Sequence, residues 1–253
     1  MKKFLVIAVA VFAALSLSSC NGKGKALKTD LDSLSYFMGT NFGQSVRNFV
    51  NGVEGEVDME LVVAGLYDYL NDEVDTPDQE IMTFLRHYMN VENIQKLKDG
   101  NASYFEKLGK KDGVQKTESG LYYKIVREGN NEKKAQYDSD KVKVMYEGKL
   151  RNGYVFDSSY AKGDTVSFGL NQVIKGWTEG MKLVGEGGEI MLYVPYELGY
   201  GTYGNPRGGI GGYQALEFRV EIVEVIPTSE EELKRIEEAK AKAEAEKAKK
   251  AQK

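Results

Sequence analysis

The sequence predicts an α+β protein, in which an antiparallel sheet of about five strands is wrapped on one short helix and an all-α segment precedes the sheet. Three patterns lead to this class. Apolar residues recur every three or four positions from about residue 29 to residue 108, which is the helical period. From about residue 119 to residue 227 the period changes to two, which is typical of strands. A helical pattern that contains Trp177 interrupts this second region between Val173 and Val184.

Composition limits the chemistry before any motif is considered. The 253 residues include one Cys and one His, so a disulfide framework, a Cys/His metal site and a Cys–His or Ser–His catalytic pair are not expected. We therefore expect no metal and no cofactor. The formal net charge of −4 argues against a nucleic-acid partner, because neutralising phosphates needs a basic surface.

Residues 1–19 are typical of a signal peptide. Their apolar run, Phe4 to Leu17, is too short to span a bilayer, which takes roughly 20 helical residues. The run ends in Leu17-Ser18-Ser19-Cys20, which resembles the bacterial lipobox. This resemblance implies that Cys20 receives a lipid and becomes the new N-terminus; an ordinary export signal is the alternative. Residues 20–28 are then a short, polar tether.

These features predict an exported protein that a lipid anchor holds to a membrane. Asn21 follows the cysteine and no acidic run comes after it. In a Gram-negative organism this favours an outer-membrane anchor that faces the periplasm.

Residues 29–108 are predicted to form a helical dimerisation domain. Thr29 and Asp32 have the spacing of a capping box, Asp58 can cap a second helix, and Thr76-Pro77 is expected to start a third. Three helices rich in aromatic residues and Met are marginal as an isolated core. Their apolar faces therefore predict a partner surface, for either a second copy of the chain or a hydrophobic client. A self-contained helical domain is the alternative.

Residues 109–118 are predicted to be a linker and residues 119–227 to form the sheet. Asn152-Gly153 is a hairpin turn signal within it. The alternating apolar residues form five groups: Leu121, Tyr123 and Ile125; Val142, Val144 and Tyr146; Val166, Phe168 and Leu170; Ile190, Leu192 and Val194; and Leu216, Phe218, Val220 and Ile222. Residues 228–253 are almost entirely Glu, Ala, Lys and Arg, which predicts a charged helical tail.

Five motifs of the sheet region stand in the order and spacing of the FKBP-type peptidyl-prolyl cis–trans isomerases, and the region resembles that family. Each motif alone is weak, but their joint order is specific. With the lipobox and the helices, the chain is similar to the exported, Mip-like branch, whose N-terminal helices dimerise. The motifs are Val144-Met145-Tyr146-Glu147-Gly148, Val155-Phe156-Asp157-Ser158-Ser159, Val173-Ile174-Lys175-Gly176-Trp177-Thr178-Glu179-Gly180, Pro195-Tyr196-Glu197-Leu198-Gly199-Tyr200-Gly201 and Leu216-Glu217-Phe218-Arg219-Val220-Glu221.

The resemblance implies an FKBP-like fold and a proline-binding pocket with Trp177 as the platform under the proline ring. It implies that Phe156, Asp157 and Tyr200 are the catalytic residues, with the Asp157 carboxylate facing the pocket and the Tyr200 hydroxyl meeting a substrate carbonyl. The substrate-binding residues that it implies are Tyr146, Val173, Ile174, Trp177, Ile210, Phe218 and Val166.

Two departures from the family pattern affect these expectations. Val166 stands where many members have an aromatic wall residue, so we expect a wider pocket there. The flap, residues 204–213, has glycines in place of a Pro-Pro pair, so we expect it to be more mobile, with Ile210 as its remaining apolar contact.

The activity that the resemblance implies is isomerisation of Xaa–Pro bonds in polypeptide clients, which assists the folding of exported proteins. The uncatalysed reaction takes tens to hundreds of seconds. Because the reaction makes and breaks no covalent bond, a chain with one His and one Cys can catalyse it. The alternative is a chaperone-like binding module with weak or incidental isomerase activity, which Val166 and the glycine-rich flap favour.

Overall fold

The computed structural model describes the backbone of residues 27–251, which form a series of helices, a sheet and a final helix. The signal peptide, Cys20 and most of the predicted tether lie outside the described residues. The chain divides into two units between Gln44 and Ser45. None of the described helices is long and apolar enough to cross a membrane.

Four α-helices come first in the part of the chain that the structure describes, and two of them begin at the predicted caps. The Thr29 hydroxyl accepts a hydrogen bond from the Asp32 N–H at 3.0 Å, and the Asp32 carboxylate accepts one from the Thr29 N–H at 3.0 Å. Asp58 accepts from the N–H groups of Glu60 and Leu61. The helices are α1 Asp30–Asn51, α2 Met59–Leu70, α3 Asp78–His87 and α4 Asn93–Leu108.

The start of α3 differs from the prediction. Pro77 rather than Thr76 occupies the capping position, and no side chain caps this N-terminus. A proline has no N–H and its φ is fixed near the helical value, so it starts a helix without a capping hydrogen bond. A π-helical stretch, Tyr88–Glu92, leads from α3 into α4.

Helices α1, α2 and α3 leave most of their apolar side chains at the surface. Asn51 is the one buried residue of α1, and α2 and α3 bury none. Phe37 is 59% exposed, Leu70 is 73% exposed and Phe84 is 64% exposed. So many exposed large apolar side chains on these helices are typical of an interaction site.

Helix α4 packs against the sheet region. Leu108 is buried, and the Phe105 ring stacks on the Tyr122 ring with the centroids 5.1 Å apart. The Tyr104 hydroxyl donates to the Glu217 carboxylate at 2.8 Å. The boundary between the helices and the sheet is therefore a packed contact.

The sheet is antiparallel and has seven strands in the described part of the chain, where about five were predicted. The strand order is β1-β2-β6-β7-β3-β4, and β5 also pairs with β3. The strands are β1 Gln115–Lys116, β2 Tyr122–Arg127, β3 Lys141–Leu150, β4 Val155–Ser158, β5 Val166–Gly169, β6 Glu189–Val194 and β7 Leu216–Ile226. The prediction missed β1, which lies in the predicted linker and has only two residues, too few for an alternating pattern; β4 is the strand that follows the predicted Asn152-Gly153 hairpin turn and was not counted among the five alternating groups.

Strands β3 and β7 form the centre of the sheet and pair from Lys141–Ile226 to Leu150–Leu216. Along β3 every second residue is buried, as the period of two predicts. The buried face packs against α5, Lys175–Gly180, which is the short helix predicted between Val173 and Val184. The predicted fold class is confirmed.

Two glycines determine how closely α5 lies on β6. A Cβ atom on Gly176 would lie 2.6 Å from Val194 Cγ1, and one on Gly180 would lie 2.5 Å from Leu192 Cδ2. Both distances are below van der Waals contact, so the helix backbone rests directly on the strand. This contact fixes the position of Trp177, which lies between the two glycines.

The last described helix, α6 Glu230–Ala251, lies in the charged tail. Its first turn is capped by the Ser229 hydroxyl, which accepts from the Glu232 N–H at 3.3 Å. Glu231 and Arg235 form an i,i+4 ion pair of 2.6 Å.

Gly176→Ala is expected to lower the free energy of unfolding by about 1–3 kcal/mol, because the added methyl group overpacks the contact with the stiff Val194 side chain. Urea unfolding followed by the fluorescence of Trp177, the one tryptophan of the sequence, measures this change. The control is Gly65→Ala in α2, where an added Cβ meets nothing within 4 Å and alanine favours the helix. An unfolding midpoint for Gly176→Ala at or above the parent value would contradict the close contact of α5 with β6.

Candidate active site

A cleft of about 420 Å³ opens beside α5, where side chains of β3, β4, β5 and β7 converge. We call it the aromatic cleft. Its lining residues are Tyr146, Phe156, Asp157, Phe168, Gln172, Val173, Ile174, Trp177, Tyr200 and Phe218.

The indole ring of Trp177 is the centre of the aromatic cleft. Three rings stand nearly perpendicular to it: Tyr146 at 5.1 Å and 84°, Phe168 at 5.4 Å and 85°, and Phe218 at 5.0 Å and 76° between centroids and ring planes. This edge-to-face arrangement is favourable for aromatic pairs. Trp177 is only 5% exposed, so the rings enclose an apolar floor.

Gly148 on β3 makes room for the outer wall of the cleft. A Cβ atom at this position would lie 2.7 Å from the Phe156 ring and 2.7 Å from the Phe218 ring. These two rings are themselves edge-to-face, with centroids 5.6 Å apart. The glycine of the motif around Tyr146 is therefore required by packing.

Asp157 is the one charged side chain among the described residues that line the cleft. Its carboxylate accepts a short hydrogen bond from the Tyr146 hydroxyl. It also accepts from the Lys162 ammonium at 3.0 Å and from the Ser158 N–H at 3.0 Å. The cleft thus combines an apolar floor with one oriented carboxylate.

Two family models match this chain in succession. The model described as "Domain amino terminal to FKBP-type peptidyl-prolyl isomerase" matches residues 31–125, and "FKBP-type peptidyl-prolyl cis-trans isomerase" matches residues 132–223. FKBP-type peptidyl-prolyl cis-trans isomerase FkpA of Escherichia coli K12 is 36% identical over 248 residues, which cover 93% of this chain and 90% of that protein. The chain belongs to the FKBP-type peptidyl-prolyl cis–trans isomerases.

Two further matches also cover most of this chain. FkpA of Buchnera aphidicola subsp. Baizongia pistaciae is 31% identical over 88% of this chain and 95% of its own. The crystal structure of FkpA from Escherichia coli is similar to 81% of this chain and 100% of its own, with 35% identity and a TM-score of 0.49. The predicted family and the predicted enzyme class are confirmed.

Most of the site residues that the sequence predicted do lie together in the aromatic cleft. Val166 and Ile210 do not line it. Ile210 is 2% exposed and belongs to the core, and Val166 packs against the same core. Phe168, two residues further along the same strand, lines the cleft as an aromatic wall. A wider pocket at Val166 stays a prediction.

Phe168 and Gln172 are the lining residues that sequence reasoning missed. A signal for Phe168 was present: Val166 and Phe168 are two residues apart on β5 and therefore share one face. The sequence named Val166 as a departure from the family pattern and placed Phe168 only among the alternating residues of the same strand. Gln172 had no comparable signal.

The flap forms hydrogen bonds within itself. Asn205 and Ile210 pair through their backbones at 2.8 and 3.0 Å, and the Gly208 N–H donates to the Asn205 carbonyl at 3.0 Å. At its base, the Tyr213 N–H donates to the Gly201 carbonyl at 3.0 Å. The greater mobility of the flap stays a prediction.

The electrostatics of the cleft keep Asp157 ionised and Tyr146 protonated. Burial alone would raise the pKa of Asp157, but hydrogen bonds from Tyr146 and Lys162 outweigh it and hold that pKa below its ordinary value. Burial and the bond to Asp157 raise the pKa of Tyr146. Tyr146 is therefore a fixed donor and Asp157 a fixed negative charge at neutral pH.

Tyr146→Phe is expected to raise the pKa of Asp157, because the variant loses the stronger of the two side-chain donors. Lys162→Met should raise it less, since this lysine is 65% exposed and its pairing is screened by water. A carboxyl-detected NMR titration of Asp157 measures both shifts.

The same change should appear in the dependence of stability on pH. A lowered carboxyl pKa stabilises the folded chain above the ordinary pKa, and this contribution is lost as the pH falls through the lowered value. The parent should therefore lose more stability on acidification than Tyr146→Phe does. An unchanged Asp157 pKa in Tyr146→Phe would contradict the assignment of the donor.

Proposed function

We propose that the aromatic cleft binds the proline ring of polypeptide clients over Trp177 and that Phe156, Asp157 and Tyr200 favour the twisted state of the preceding peptide bond. The observation that carries this proposal is the perpendicular arrangement of Tyr146, Phe168 and Phe218 around a buried indole, with one ionised carboxylate beside it. A proline ring is compact and apolar and of a size that such a floor accommodates.

The chemistry requires no nucleophile and no proton transfer. Rotation about the peptide bond has a barrier of about 18–20 kcal/mol, because it breaks the amide resonance. In the twisted state the amide nitrogen is pyramidal and the carbonyl becomes more like a ketone. An apolar site disfavours the polar planar amide, and a fixed charge can stabilise the changed carbonyl dipole. The Tyr200 hydroxyl can hold the carbonyl oxygen in the rotated geometry.

Phe156→Ala and Asp157→Ala should each lower kcat/KM for a proline tetrapeptide by about tenfold or more, which is roughly 1.4 kcal/mol of transition-state stabilisation. Tyr200→Phe should cost less, because the ring stays in place. The assay is run at a temperature at which Trp177 fluorescence reports a folded cleft, since removing a phenyl ring also opens a cavity. Parent rates in both alanine variants would overturn the proposed roles.

A second pair of variants tests which β5 residue forms the wall. Phe168→Leu should lower kcat/KM several-fold, because Phe168 is edge-to-face with Trp177. Val166→Ala is the control on the same strand and should keep the parent rate, because Val166 does not line the cleft. A loss of activity in Val166→Ala alone would restore Val166 as the wall residue.

The helices supply a second proposal: residues 29–108 form a homodimer. The apolar faces of α1, α2 and α3 are exposed, and α1 has several exposed apolar side chains along its length. A second copy of the chain would cover these faces. The competing occupant is a hydrophobic client, as in a chaperone-like module.

Residues 21–253 lack only the leader and Cys20, so they keep all the exposed helical faces. Sedimentation of this fragment should therefore give twice the monomer mass. Phe37→Ser combined with Leu34→Ser should shift it to monomer while keeping tetrapeptide turnover, since the cleft is built from other residues. A monomer at tens of micromolar for the parent would contradict the dimer and favour the client surface.

The third proposal is that the chain is exported and that lipid on Cys20 anchors it to the outer membrane, facing the periplasm. Its support is the sequence Leu17-Ser18-Ser19-Cys20. Burial of acyl chains contributes about 0.8 kcal/mol per CH₂, so several chains anchor a protein stably. Cys20→Ser should leave a folded, active isomerase that partitions into the aqueous phase of a detergent separation. Retention of the serine variant in the detergent phase would contradict the anchor.

A further inference from the structure

The flap of this isomerase is attached to the helical region by specific contacts. The buried Asn101 side chain, in α4, donates from Nδ2 to the Tyr213 carbonyl at 2.8 Å. The Gln214 side chain, just after the flap, donates to the carbonyl of Asn51 in α1 at 3.2 Å. A Cβ on Gly211 would lie 3.1 Å from Gly52 Cα, so the two backbones are in close contact here.

Asn101 makes this bond although the oxygen atom of the same side-chain amide is left without a partner. Its Oδ1 is buried and has no partner among the described residues. A buried polar atom without a partner is costly, so the amide is retained for the bond that its Nδ2 makes. Only a donor can pair with the Tyr213 carbonyl, which identifies Nδ2–H as the functional group of Asn101.

Tyr213 has a backbone conformation that needs support. Its φ is +61°, in the left-handed region that side chains with a Cβ rarely adopt. Such a residue persists where its surroundings hold it on several sides. Besides the bond to Asn101, the Lys98 ammonium of α4 lies 5.1 Å from the Tyr213 ring centroid, and the Tyr196 ring is 5.2 Å away. Two residues of α4 therefore contact Tyr213.

A short covalent and hydrogen-bonded path leads from Tyr213 to the aromatic cleft. The Tyr213 N–H donates to the Gly201 carbonyl at 3.0 Å. Gly201 directly follows Tyr200, which lines the cleft. The carbonyl and the N–H of one residue with a strained backbone thus join α4 to Gly201, the residue that follows Tyr200.

We propose that Asn101 is a positioning residue: by holding Tyr213 in its left-handed conformation, it fixes Tyr200 at the cleft. The helical region then affects the rate of isomerisation through Tyr213 of the flap, without contacting the substrate. This inference rests on the proposed role of the Tyr200 hydroxyl, and it adds that α4 determines where that hydroxyl stands.

The test is a double-mutant cycle between Asn101→Leu and Tyr200→Phe in the full chain, read as kcat/KM for a proline tetrapeptide. Asn101→Leu keeps the volume and removes the donor. In the parent it should lower kcat/KM by about fivefold, and in the Tyr200→Phe background by less than about twofold, because the group that it positions is already absent. Gln95→Leu, the same kind of change on the exposed side of α4, should keep the parent rate.

The outcomes separate this inference from the proposed function. Equal losses in both backgrounds would show that Asn101 has a general structural role and would overturn the inference alone. A parent rate in Asn101→Leu would overturn it as well. A parent rate in Tyr200→Phe would overturn the proposed role of Tyr200 and the positioning role together.

Folding is checked for each variant by cooperative urea unfolding with Trp177 fluorescence. Asn101→Asp provides a second route through the same cycle, because it replaces the donor nitrogen with oxygen and, as a carboxylate, adds a negative charge that cannot donate to the Tyr213 carbonyl. It should reproduce the pattern of Asn101→Leu. If neither variant folds, Asn101 is a structural residue and the inference is wrong.

Discussion

The site depends on one packing constraint, the direct contact of α5 with β6. Gly176 and Gly180 allow this contact, because a Cβ atom at either position would overlap Val194 or Leu192. The residue between them, Trp177, is thereby pressed onto the sheet and becomes the floor of the aromatic cleft. The walls then follow from the pairing of β3 with β7 and β5, which places Tyr146, Phe218 and Phe168 around one indole. A displacement of this short helix would separate the floor from all three walls.

The second constraint is electrostatic: an ionised Asp157 carboxylate in an aromatic environment requires a hydrogen-bond donor. The Tyr146 hydroxyl meets this requirement and does so from within the cleft itself, so that one residue serves both as a wall and as the donor to Asp157. A site with so few polar groups suits a reaction that only rotates a bond. It needs shape, a dry surface and a fixed dipole rather than a nucleophile, which is consistent with a chain that has one His and one Cys.

The sequence predicted what depends on local periodicity and on motifs, and it failed where long-range contacts decide. The long strands and α5 were predicted, because alternation and its interruption are visible over six or more residues. The strand β1 was missed because two residues carry no period. Val166 was named because many members of the family have an aromatic residue at its position, and only the packing of Phe168 against Trp177 shows which residue of β5 lines the cleft. The contacts of Asn101 had no signal, and Gly148 appeared only as the last residue of a motif, since the packing of each involves residues distant in the chain.

The central claim is that isomerisation takes place with the proline ring on Trp177. The most direct measurement is NMR of a proline tetrapeptide in the presence of the full chain, combining cis–trans exchange spectroscopy with intermolecular NOEs. The account predicts accelerated exchange together with NOEs from the proline ring protons to the Trp177 indole. Accelerated exchange with proline NOEs to residues outside the aromatic cleft, and none to Trp177, would contradict it.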